Sequence, residues 1–261
     1  MRSKFLKRVR ALDVHLVLVY LFLYGPIVML IVLSFNELGL PTAWGGFSLK
    51  WYGELARNTA LLNAGINSLI VAGGSTLVSA VIGTLLAIGL ERAVRSTLLD
   101  AFVFVPMIIP DIVLAIALLS FYSLLKMRLG LYSIMLSHIV FNIAFVAAIV
   151  RTRLSYFDPS LEEASMDLGA TQIKTFLKIT LPLILPGIMA GALLAFTISF
   201  DEFVIAFFTA GPGQPTLPIQ IYSMVRFGVT PDVNALSTII LFISITSILV
   251  AQRLSGMRGV L

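Results

Sequence analysis

Six stretches of this chain are apolar over about twenty residues or more: roughly 14–35, 66–90, 101–125, 131–150, 183–209 and 233–252. No other feature limits the fold as tightly. A helix rises about 1.5 Å per residue, so some 20 residues cross the ~30 Å of a bilayer's hydrocarbon. Backbone groups in that layer must bond within their own segment or within a closed barrel. Barrel strands alternate apolar and polar residues, whereas these runs are continuous. The expectation is an all-α integral membrane protein with six transmembrane helices. Composition agrees: 59% of the residues are hydrophobic and 12% charged, about half the charge of a soluble domain.

The same composition excludes several kinds of chemistry. Without cysteine there is no disulfide framework, thiolate metal site or cysteine nucleophile. Two isolated histidines, His15 and His138, make no metal centre. No catalytic residues, bound metal or resident cofactor are expected. The net charge of +5 reads as topology-setting loop charge rather than a nucleic-acid surface.

Five bases crowd the first ten residues: Arg2, Lys4, Lys7, Arg8 and Arg10. The apolar run after them exceeds the 7–15 residues of a signal peptide's core, and no small-x-small cleavage pattern follows. An uncleaved span is expected. With the N-terminus inside, thirteen of the eighteen Lys and Arg fall on the inner side and five outside. The positive-inside rule then makes both termini cytoplasmic. Lys126 and Arg128, in an outer turn, run against the trend. The domain reading is a cytoplasmic segment 1–13, a single six-helix transmembrane domain 14–252 and a cytoplasmic tail 253–261.

One inner segment, about 151–182, is too charged for lipid and too patterned for a tether. Asp158 or Ser160 can cap a helix with Pro159 in its first turn, and Ser160 with Glu163 fits a capping box. Leu161, Ala164, Ser165 and Leu168 then share one small, apolar face. Gly169 sits where a helix end needs positive φ. Thr171 caps a second short helix over 172–180, and Pro182 leads into span five.

Glu163-Ala164-Ser165, three residues, Gly169, nine residues and Ile179-Thr180-Leu181-Pro182 reproduce the spacing of a cytoplasmic motif of ABC importer permeases, E-A-A-x3-G-x9-I-x-L-P. Ser165 for alanine is the one departure, and it keeps the residue small. The chain thus resembles the MetI-like superfamily of binding-protein-dependent importer permeases. That resemblance implies a type I ABC importer permease fold with a cytoplasmic coupling helix. It implies that Glu162, Glu163, Ala164, Ser165, Asp167, Gly169 and Ala170 meet a separate ATP-binding subunit. The implied assembly holds two ATP-binding subunits, a second homologous permease subunit and a periplasmic or extracellular substrate-binding protein. It sits in the lipids of a bacterial plasma (inner) membrane. This chain has no Gly-x4-Gly-Lys-Ser/Thr phosphate loop, so ATP and Mg2+ are left to the partner.

Three acids interrupt the spans: Asp111, Asp201 and Glu202. No Lys or Arg lies in a span core to neutralise them. A carboxylate at the bilayer centre costs at least about 2.5–3.5 kcal/mol, so such residues face cavities, partners or routes. Pro106 and Pro110 weaken the helix before Asp111. Adjacent residues of a helix differ by about 100° in facing, so Asp201 is placed in the route, near Thr197 and Ser199, and Glu202 against a neighbouring subunit. Structural hydrogen bonding to a nearby helix is the competing reading of each acid. Carboxylates without counterions disfavour phosphate, sulfate or molybdate and suit a di- or polycation. Trp44, Trp51, Tyr52 and Tyr222 in the outer loops can add cation–π contacts or serve as ordinary belt aromatics.

The stretches Trp51-Tyr52-Gly53-Glu54-Leu55, Pro110-Asp111-Ile112-Val113, Glu163 to Ala170, Leu194 to Glu202 and Tyr222-Ser223-Met224-Val225 look like the second permease subunit of bacterial spermidine/putrescine importers. The resemblance implies half of a polyamine pathway; relatives moving other cationic amines or opines look alike. A self-sufficient channel or proton-coupled transporter leaves the 158–182 loop unexplained. A membrane enzyme would need a histidine or metal-ligand cluster that the sequence lacks.

Overall fold

A computed structural model describes residues 2–39, 43–93, 96–226 and 231–254. Pro41, Arg95, Arg258 and the expected tail from residue 255 lie outside them. Two units make up the chain, one from Met1–Leu62 with Ile221–Leu261 and one from Asn63–Gln220.

In the first unit α1 (Arg2–Leu33) carries the first apolar span, Leu12–Leu33. Helix α2 (Lys50–Arg57) follows a loop after α1. Asn36 ties that loop: its Nδ2 donates to Ala43 O at 2.7 Å and its Oδ1 accepts from Gly45 N at 2.8 Å. Trp51 Nε1 donates to Asn36 O at 2.7 Å, and the Tyr52 and Ser34 hydroxyls share a 2.7 Å bond. Phe35 stacks on Phe47 and leans on Tyr52. Polar groups at the end of a span are thus paired within the loop.

The second unit begins within α3 (Thr59–Ile88), which runs on through a π-helical turn, Gly89–Ala93. Helices α4 (Thr97–Ile108) and α5 (Asp111–Leu124) meet at a 105° bend. Pro110 supplies the break, since a proline disfavours helical geometry in the residue before it; Ile109 is extended. Then come α6 (Leu131–Ser155), α7 (Ser160–Asp167) and α8 (Gln172–Thr175). A second π-helical turn, Phe176–Thr180, joins α8 to α9 (Leu181–Asp201). Helices α10 (Val204–Thr209) and α11 (Leu217–Arg226) follow, and α12 (Pro231–Leu254) packs in the first unit against α1 and α2.

Helix α6 is the central column of the second unit. Ala87 of α3, Val146, Ala147 and Val150 of α6, and Ile184 and Ala195 of α9 form a buried cluster. The helices approach closely because of glycine. A Cβ on Gly83 would lie 2.8 Å from Val146 Cβ and 2.9 Å from Ile143 O. Without water to drive apolar groups together, membrane helices associate through such close packing of small residues.

Ion pairs fix which helix ends share a side. Arg151, near the end of α6, binds Glu91 of the first π turn at 2.9 Å and Asp100 at the start of α4 at 2.8 Å. The α4–α5 pair leaves that side, and α6 returns to it as a 25-residue helix. A re-entrant α4–α5 would put the end of α6 on the opposite face, away from Asp100. The bent pair therefore crosses. With it, five spans are accounted for, and α12 is apolar over its described stretch Pro231–Ile243. The expected sixth span rests on α12, whose side chains beyond that stretch are largely outside the described residues.

Candidate functional site

Helix α7 starts one residue earlier than the capping box implies. Pro159 is its N-cap, without a side-chain cap bond, and Ser160 is already helical. Asp158 does the local work instead: its Oδ1 accepts from Ser160 N at 3.0 Å. That bond holds the Asp158 carboxyl below its ordinary pKa. Gly169 has φ +84°, as its position demands, and nothing lies within 4 Å of where its Cβ would be. Thr171 caps α8, accepting from Lys174 N. The expected helix over 172–180 does not stop before span five. It passes through the π turn into α9, because Pro182 cannot donate to the i−4 carbonyl and the ladder takes one extra residue to pass it.

The motif residues divide between two faces. Leu161, Glu163, Ala164, Met166, Asp167, Leu168 and Gly169 are exposed, Leu168 at 90%. Glu162 and Ser165 turn inward. Ser165 Oγ shares a 3.0 Å bond with Thr175 Oγ1. Both Glu162 oxygens accept from Arg92 Nη1, at 2.8 and 2.9 Å, and Thr180 Oγ1 also donates to Glu162. Arg92 further lies 5.3 Å from the Phe157 ring.

The three intramembrane acids come together at two helix breaks. Asp111 is the first residue of α5, where a carboxylate suits the helix dipole. Asp201 is the last residue of α9, and Glu202 follows it. Helix α10, which follows Asp201 and Glu202 directly, packs on α5, whose first residue is Asp111. Asp111 and Asp201 are exposed. Among the described residues, none forms an ion pair with any of the three. Glu202 makes a bond inside the chain: its Oε1 accepts from Ile205 N at 2.8 Å in the first turn of α10.

Ser199, expected near the route, is buried within the chain. It is 3% exposed, and its hydroxyl bonds His138 Nδ1 at 2.7 Å and Ser75 Oγ at 3.0 Å. Asn142 Nδ2 donates to Ser75 Oγ, so α3, α6 and α9 share a buried polar pin. Trp51 spends its indole N–H on the loop after α1, and Lys50 Nζ already lies 4.8 Å from its ring centroid. Tyr222 sits half-exposed on α11. Sequence reading gave no structural role to His138, Asn142, Glu91, Asp100, Arg151, Arg92 or Thr180. For the charged ones a signal existed: acids and bases facing each other across consecutive inner segments.

Residues 79–257 match the family model of the binding-protein-dependent transport system inner membrane component, and the chain belongs to that family. It is a multi-pass membrane transport component. Among curated proteins it is 44% identical over 237 residues to the putrescine transport system permease protein PotI of Escherichia coli K12, covering 87% of this chain and 84% of that one. It is 43% identical over 236 residues to the spermidine/putrescine transport system permease protein PotC of the same strain, covering 90% and 89%. A solved bacterial ABC transporter involved in import of the acidic polysaccharide alginate shares the fold, with a TM-score of 0.77 at 18% identity over 99% of each chain.

Proposed function

We propose that this chain forms half of the translocation pathway of an ATP-driven importer for polyamines such as putrescine and spermidine. The observation that carries the substrate class is the gathering of Asp111, Asp201 and Glu202 at two helix breaks without a basic partner among the described residues. A carboxylate pair open to a pathway stabilises an ammonium group that has shed its water. An anion would meet repulsion there. The names of the relatives support the same class. Other cationic amines, opines among them, satisfy the same chemistry.

The exposed face of α7 and Gly169 supports docking of a separate ATP-binding subunit. Two such subunits, a second homologous permease and an external binding protein complete the assembly. ATP and Mg2+ bind the partner. Both termini and α7 face the cytoplasm, and the membrane is the bacterial inner membrane. A self-sufficient channel or proton-coupled transporter has no use for that docking face.

Uptake of labelled putrescine and spermidine per assembled, reconstituted complex tests the proposal. Asp111→Asn and Asp201→Asn each remove a charge at nearly constant volume. Assembly should hold, and uptake should fall about tenfold or more, one lost counter-charge in a poorly hydrated route costing above ~1.4 kcal/mol. Glu202→Gln retains an acceptor for Ile205 N and should do less. Wild-type transport by both Asn variants would remove the cation-route assignment.

A further inference from the structure

Both π-helical turns of the second unit converge on one carboxylate. Arg92 belongs to the turn Gly89–Ala93 that ends α3, and Thr180 belongs to the turn Phe176–Thr180 that opens α9. Each donates to Glu162 of α7. The residue before Arg92 is Glu91, bound by Arg151 of α6, which also holds Asp100 of α4. Two neighbouring residues of one π turn thus tie α7 and α9 on one side, α4 and α6 on the other.

We infer that Arg92 is a positioning residue for coupling: Arg92 and Glu162 form a clasp that carries movement of α7 into the spans through the two π turns. The inference rests on the docking of an ATPase at α7 and deepens it by separating the docking face from the transmitting face. Three observations support it. Glu162 has a side chain only 19% exposed and points into its own unit, while Glu163, Ala164 and Leu168 beside it are exposed. A π turn carries an extra residue in its hydrogen-bonded ring and marks functional positions more often than chance; two at the ends of spans give the helices a place to rotate. A cavity of about 270 Å3, lined by Arg92, Glu162, Met166, Gln172, Thr175 and Phe176, lies beside the clasp and leaves α7 room to shift. A partly exposed ion pair is weak enough to open and re-form.

The test uses the complete reconstituted complex with its ATPase, partner permease and putrescine-loaded binding protein. Arg92→Glu, Glu162→Arg and the double swap are compared for retention of the ATPase, stimulation of ATP hydrolysis by the loaded binding protein, and uptake. Each single variant should retain the ATPase. Stimulation and uptake should fall about three- to tenfold, the scale on which one such ion pair biases a two-state equilibrium. The swap should restore both to within about threefold, on the same scale. Thr180→Val, near in volume, should lower stimulation with assembly intact, and it carries the test together with Glu162→Gln if charge reversal lowers membrane yield. Wild-type coupling in the single variants overturns the clasp, as does an assembled swap that restores nothing. Loss of the ATPase from Glu162→Arg and Glu162→Gln would place Glu162 at the docking surface and overturn the clasp while docking stands. Failure of the unaltered complex to retain an ATPase would instead remove the docking reading itself.

Discussion

At Gly169 the backbone, not the surroundings, sets the demand. Its φ of +84° is reached by L-residues only with strain, yet open space lies where a Cβ would go. A valine there meets no clash, so its whole cost is conformational, about 1–2 kcal/mol. Gly169→Val should therefore leave the membrane fold and yield intact and displace the turn after α7. ATPase retention and ATP-driven uptake should both drop; normal uptake would remove the coupling assignment of this loop. This residue was legible in sequence because a helix end followed by glycine has one physical meaning. The contacts of Glu202 and Ser199 were not. Facing along a helix was inferred for them as if span five continued unbroken, and the break at Asp201–Glu202 resets it: Glu202 bonds Ile205 N in the first turn of α10 and Ser199 turns inward to His138. Glu202→Ala should cost about 1 kcal/mol, the usual worth of a side-chain bond to a helix's first turn, read as a lower melting temperature of the detergent-solubilised complex; an unchanged one would deny that bond its role.

Helix boundaries followed local chemistry where that chemistry was unopposed. Gly169, Thr171 and Pro110 marked real ends or bends, whereas Pro106 stays inside α4. Pro182 opens α9 as expected, but the short helix before it does not end there, since a π turn can absorb the missing donor. Contacts between elements were beyond single-segment reading. Apolar runs announce spans but not neighbours, and the approach of α3 to α6 depends on Gly83, an unremarkable residue in sequence. Gly83→Val should force α3 off Val146 and the Ile143 carbonyl. Overpacking of this kind costs about 1–3 kcal/mol. Reduced membrane yield and a lower melting temperature are expected, with ATPase retention normal in the complexes that form. Full stability would show that α3 and α6 do not meet at Gly83.

For the whole molecule, sidedness hangs on the 105° bend between α4 and α5. The sequence assigned sides by counting bases, and Lys126 and Arg128 beyond α5 weakened that count. The ion pairs settle the second unit without counting: Asp100, Glu91 and Arg151 meet at one end, with Arg92 and Glu162 alongside. The start of α6 must then lie across the membrane from α7 and α8. Because the chain has no cysteine, single cysteines report this directly. Tyr132→Cys at the start of α6 and Ile173→Cys in α8 are apt, since both side chains are well exposed, at 81% and 73%, and neither substitution alters the basic residues that orient the chain. A membrane-impermeant thiol reagent on intact cells should label the cysteine at 132, and should reach the one at 173 only after the membrane is opened. Labelling of both from outside would mean that α6 does not cross the membrane. Labelling at 173 alone would mean either a re-entrant α4–α5, setting the Arg151–Asp100 pair aside, or an inverted chain; both move the docking face of α7 away from any cytoplasmic ATPase.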